Sequence, residues 1–126
     1  MYRLYGLLMP NSDFTLDEAL QRLAARFPTH RVTVADAQIT LASDSWEMEF
    51  LIREGPDIQA EHDAIAERIG GEQDASHIAG CARRVEAWRE TPDPEMQYFE
   101  EFLGVVDVLK SFVGVLVIDP KEPCFM

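Results

Sequence analysis

The chain is short of cysteine, of cations and of long apolar runs. Its 126 residues include two cysteines, Cys81 and Cys124, and neither stands in a Cys-x-x-Cys pair. Two thiols can form at most one bridge and carry no paired metal-ligand spacing, so reduced thiols in a cytoplasmic protein are the expectation. The longest strongly apolar stretch, Phe112 to Ile118, is seven residues, far below the roughly 20 that cross a bilayer. No membrane partner is expected. The run Leu4 to Met9, with Tyr2, Arg3 and Asp13 around it, lacks the length and flanks of a secretory signal.

Positive charge is scarce as well. Eleven Lys and Arg stand against 23 Asp and Glu, a formal charge of −12. That field repels phosphate backbones, whose binding depends on Lys and Arg contacts and counterion release, so nucleic acid is excluded as an expected partner. The one basic cluster, Arg83, Arg84 and Arg89, is interrupted by Glu86 and followed by Glu90, and reads as a solvated face. No G-x-G-x-x-G, G-x-x-x-x-G-K-S/T, G-x-S-x-G or H-E-x-x-H occurs. The common nucleotide, hydrolase and metalloprotease signatures are thus missing, and no cofactor or bound metal is expected.

What is present is an ordinary globular composition, 47% hydrophobic and 27% charged. A chain of this mass folds to about 6,800 Å² of surface from about 20,700 Å² unfolded, enough burial for a single core. One domain over residues 1–126 is the expectation.

Tyr2 to Met9 places apolar side chains on both parities and reads as an interior strand. Thr15 and Glu18 form a capping box that opens a helix with the stripe Leu16, Leu20, Leu23 and Phe27, ended by Pro28. Arg31 to Ala42 is extended by residue type, with an irregularity at Ala35-Asp36-Ala37. Ser43 to Ser45 turn it into the clearest alternation in the chain, Trp46, Met48, Phe50 and Ile52 against Glu47, Glu49, Leu51 and Arg53. A second helix follows Asp57 with the stripe Ile58, His62, Ile65 and Ile69, stopped by Gly70-Gly71. Residues 75–89 fit either a helix or a strand. A strand over 80–89 is preferred because it completes a crossover with the next helix and strand. Asp93 and Pro94 cap the third helix, whose inward stripe is Met96, Phe99, Phe102, Leu103, Val106 and Leu109. Val113 to Ile118 is the final interior strand.

The resulting order, β-α-β-β-α-β-α-β, predicts an α+β two-layer sandwich of about five strands with three helices, an extended ferredoxin-like arrangement.

Three constellations carry candidate chemistry. Glu47 and Glu49 lie two apart on a strand, about 6–7 Å from each other on one face, with Arg53 further along it; together they are candidates to line a cleft. His77 and Cys81 share one face if helical, as a base–nucleophile pair would need, although a small buried thiol is the simpler account. His62, on an apolar stripe, reads as a core histidine. Glu95, Glu100, Glu101 and Asp107 belong to the densest acidic stretch, with no cation between Arg89 and Lys110. With Gly104 they define an outer ridge on the third helix, where a glycine that costs about 1 kcal/mol is kept for close approach of a partner.

Two functions follow as expectations. The first is a non-catalytic interaction domain whose acidic ridge binds or inhibits a basic protein. The alternative is a homodimeric small-ligand-binding or enzymatic sandwich, with Tyr5, Leu7 and Met9 on an uncovered sheet face as the dimer contact and Glu47, Glu49 and Arg53 in its cleft.

Overall fold

Side-chain alternation along the strands decides this architecture, because both parities of the central strands are apolar. The computed structural model describes residues 2–69, 75–89, 91–121, 124 and 126. Its strands are β1 (Tyr2–Leu8), β2 (Arg31–Ala35), β3 (Gln38–Ala42), β4 (Glu47–Glu54), β5 (Arg83–Arg89) and β6 (Val115–Ile118). They form one antiparallel sheet in the order β2-β3-β4-β5-β1-β6. The helices are α1 (Leu16–Arg26), α2 (Pro56–Ile69), α3 (Ala75–Ala79) and α4 (Phe99–Lys110).

The α+β class is as the sequence predicts, but the finer count is not. Six strands and four helices replace about five and three, and the strand order departs from a ferredoxin-like one. Two local causes account for this. Asp36 and Ala37 both take positive φ, 51° and 61°, so the irregularity is a two-residue turn that splits Arg31–Ala42 into a hairpin closed by the pair Ala35↔Gln38. Residues 75–89 hold both alternatives in succession, a short helix and then a strand. As the crossover argument requires, β5 and β6 flank β1, and α4 joins them.

The first sheet face carries Leu4, Leu8, Ile39, Leu41, Met48, Phe50, Val85, Ala87 and Val117, packed with Leu23, Phe27, Phe102 and Leu109 of the α1–α4 side. The opposite face carries Tyr5, Leu7 and Ile118, packed with Ile78 and Cys81 and flanked by Ile65, Ala66 and Ile69 of α2. Helices therefore lie on both faces. The two-layer expectation is corrected accordingly, and the surface offered for a dimer is taken up by the chain itself: Leu7 is fully buried and Tyr5 nearly so.

The helix ends show which signals were sufficient. Thr15 Oγ1 accepts the Glu18 N–H at 3.1 Å, while the Glu18 carboxylate turns to Arg22 at 3.1 Å rather than completing the box. The second helix starts at Pro56, one residue before the expected cap, and buries Ile58 and His62. Gly70-Gly71 lies outside the described residues. The third predicted helix starts late. Asp93 does not cap it at Pro94; its carboxylate accepts the N–H of Gln97 at 3.0 Å and of Tyr98 at 2.9 Å, and the Tyr2 hydroxyl donates to it at 2.5 Å. These contacts fold residues 93–98 into a turn, with Met96 at φ 55°, before α4 begins at Phe99.

Candidate interaction face

Helix α4 is apolar on most of its circumference, so its orientation is set by what it meets. Phe102, Val105, Val106, Val108 and Leu109 are buried, and so is Gly104. A Cβ at Gly104 would stand 2.8 Å from Cζ of Phe27 and 3.2 Å from Nη2 of Arg26. The glycine therefore serves a close approach within the molecule, between α4 and the end of α1, and does not belong to the outer ridge. That contact turns Phe99 and Leu103 outward, at 36% and 42% exposure, with Met96 at 56% in the preceding turn. The predicted inward stripe of Met96, Phe99 and Leu103 is corrected in the same way.

The acidic residues fall around these side chains. Glu95, Glu100 and Asp107 are exposed and Glu101 is half-buried. None of the four takes part in an ion pair among the described residues. Glu101 points inward enough that its Oε2 is shielded and without a hydrogen-bond partner among the described residues. It lines, with Glu100, Arg26, Phe27 and His30, a hollow of about 200 Å³ at the junction of α1 and α4. Beneath the start of α4 runs an aromatic seam, with Phe27 to His30 at 5.1 Å, His30 to Trp46 at 6.0 Å and Trp46 to Tyr98 at 6.3 Å between ring centres. Arg89 is buried against it, its guanidinium carbon 4.9 Å from the Tyr98 ring and 5.9 Å from Trp46. The outer face of α4 and the turn before it thus present three exposed apolar side chains among carboxylates without an ion pair among the described residues, on a firmly packed base. That arrangement resembles an interface with an apolar centre and a charged rim.

The second candidate, Glu47, Glu49 and Arg53, separates in the structure. Glu47 and Glu49 line a hollow of about 200 Å³ with Trp88, Arg89 and Thr91, smaller than the roughly 300–1,000 Å³ of small-molecule sites. Glu49 pairs across the sheet with Thr40 and Trp88. Arg53 belongs elsewhere, 3.7 Å from the Glu86 carboxylate.

Glu86 in turn leads to a buried polar cluster that the sequence reading missed. Arg84, 2% exposed, donates from Nε and Nη2 to Glu86 Oε2 at 2.8 and 2.7 Å, and its Nη2 lies 3.5 Å from Glu61 of α2. Its guanidinium lies over the Tyr5 ring, 3.9 Å from the centre, and its Nη1 has no partner among the described residues. Arg84 and Arg89 are therefore interior side chains, and only Arg83 of the basic cluster is exposed. The available signal was the R-x-E spacing of Arg84 and Glu86, which places both on one strand face.

His62 is fully buried, with Nδ1 2.7 Å from the Cys81 carbonyl, which it can only donate to. Burial holds its pKa below the usual histidine value, reinforced by nearby Arg84. The Cys81 thiol donates to the His77 carbonyl at 3.3 Å, and burial pushes its pKa up to about 11. A thiol so buried is packed in the core and carries little thiolate character. Among the described residues no three His, Cys, Asp or Glu side chains converge to hold a metal ion, and no helix is long and apolar enough to cross a membrane. No family model, curated protein or solved structure matches the chain.

Proposed function

We propose that this chain is a non-catalytic, acidic protein-interaction domain that binds a basic protein on the outer face of α4, masking or inhibiting that partner. The supporting observation is the placement of Met96, Phe99 and Leu103 in solvent among Glu95, Glu100 and Asp107, none of them ion-paired among the described residues. The net charge of −12 steers a basic partner toward the domain and sets the encounter rate. The apolar side chains supply the desolvated centre that charge alone cannot, since rim charges contribute little and anchors most. The partner's matching surface is therefore Lys and Arg residues around one or two apolar anchors.

The reading separates from simple charge attraction by calorimetric titration against a panel of basic proteins at low and high salt. The proposal requires at least one partner whose binding weakens with salt but persists, and which loses about tenfold or more in affinity with Leu103→Ser, the size expected for an interface anchor. Binding that vanishes in salt and ignores Leu103→Ser reduces the ridge to non-specific attraction, and the absence of any binding refutes the proposal.

A further inference from the structure

A cleft with an apolar floor borders the α4 face and shares Phe99 with it, where β1 outruns β6. Its volume is about 460 Å³, and Tyr2, Phe99 and Phe102 give it an aromatic floor while Arg3, Lys121 and Asp119 stand at its rim. The floor is ordered by packing: Tyr2 and Phe102 stack with ring centres 4.9 Å apart, and Phe99 lies 6.2 Å from Phe102. Arg3 and Tyr5, of the opposite strand parity from Tyr2, line its other side across the free edge of β1, and the Tyr5 ring lies against the Arg84 guanidinium.

Pairing of β1 with β6 starts at Tyr5↔Ile118, and further along the same edge the Met9 N–H bonds to the Gly114 carbonyl. By strand alternation the Arg3 N–H and C=O also face that edge, beyond the end of β6 and beside the cleft. The site thus combines flat apolar surface, a backbone donor and two cations. Neither Arg3 nor Lys121 has an ion-pair partner among the described residues. Asp119 is engaged in its own turn, where Oδ1 accepts the Lys121 N–H at 2.8 Å.

We infer that this cleft binds a small aromatic anion, a flat ring system bearing a carboxylate or sulfonate. The ring lies on the Tyr2–Phe102–Phe99 floor, and the anionic group meets Arg3 and Lys121. The volume falls within the range of small-molecule sites, about 300–1,000 Å³. Offset stacking suits a flat ring on such a floor. The overall negative charge does not forbid an anion here, because exposed charges farther than about 8–10 Å are screened at physiological salt whereas the two rim cations act at contact.

Anilinonaphthalene sulfonate, an aromatic anion whose fluorescence rises in apolar surroundings, is the direct probe, with phenylnaphthylamine as its neutral counterpart and a naphthylmethylammonium salt as the cationic one. The expected result is saturable binding of one sulfonate per chain, with amide shifts at Arg3, Phe102 and Asp119. The double variant Arg3→Gln/Lys121→Gln changes two exposed side chains, so it should fold normally. It is expected to weaken the sulfonate about tenfold or more, the size of a charge-assisted contact, and to leave the neutral probe unchanged. No saturation by the sulfonate, an unaffected double variant, or tighter binding of the cationic probe would each overturn the inference. The double variant leaves Phe99, Leu103 and the α4 carboxylates in place, so binding of a basic protein there, read by Leu103→Ser, is tested separately even though Phe99 borders both sites.

Discussion

Arg84 is the residue whose environment is most demanding. A guanidinium with almost no solvent contact is tolerable because Glu86 accepts two of its N–H groups, Glu61 lies within reach and Tyr5 offers a ring face. Breaking a buried pair from one side leaves an uncompensated charge, so Arg84→Ala is expected to cost about 3–5 kcal/mol. Urea unfolding measures it, and a loss below about 1 kcal/mol, the typical worth of an exposed pair, would show that the cluster is wet. His62 gives a second residue-scale prediction. Burial depresses its folded pKa, so as pH falls below about 6.5 the unfolded chain takes up a proton that the folded chain refuses, and stability declines. The groups facing it, Glu61, Asp63 and Arg84, modulate this through their charges. The urea midpoint should drop between pH 7.5 and 5.5, and the drop should shrink in His62→Gln. An identical drop in the variant assigns the effect to other groups. His62 was legible as a core histidine from its apolar stripe, whereas for Arg84 the R-x-E spacing fixes a strand face but not that a helical layer covers it.

At the scale of elements, legibility followed how one-sided each pattern is. Strand β4 alternates without ambiguity, and its two faces are as the sequence predicts. Helix α1 has one stripe and a clear cap. Helix α4 has apolar residues on most sides, so several stripes fit, and the one chosen by periodicity was rotated from the true one because Gly104 admits Phe27. Substitution tests that geometry by its sign. On an exposed ridge Gly104→Ala would gain about 1 kcal/mol from helix propensity. Against Phe27 and Arg26 the added methyl meets occupied space, and a net loss of about 1–2 kcal/mol is expected after that gain. Thermal or urea unfolding decides between the two. The β2–β3 turn was legible only as an irregularity because Asp-Ala lacks the glycine that marks such a turn. Ala37 at φ 61° is strained, so Ala37→Gly should raise stability by about 0.5–1 kcal/mol. No gain would mean that the turn relaxes from left-handed geometry.

For the molecule as a whole, the accessible surface is 7071 Å², close to the roughly 6,800 Å² that area scaling gives for a folded chain of this mass. Helices on both faces, rather than one, change the functional argument more than any single residue does. They remove the sheet as a dimer face, place Arg84 and Arg89 inside, and leave exposed carboxylates that described cations do not pair. Glu95, Glu100 and Asp107 are exposed where spacing put an outer ridge, whereas Glu101 turns partly inward. Their apolar companions were not legible, because Phe99 and Leu103 look like core until the packing of α4 on α1 is known. Phe99 and Leu103 are exposed on α4 beside Glu100 and Asp107, with Met96 and Glu95 just before it, while Val34 and Val113 are exposed elsewhere. The most direct test is an amide chemical-shift map recorded while a basic protein that binds in calorimetry is titrated into the isotope-labelled domain. The account predicts the largest shifts between Met96 and Asp107, on the outer face of α4. Shifts centred instead on β2–β4 around Glu47 and Glu49, with residues 96–107 unmoved, would contradict it.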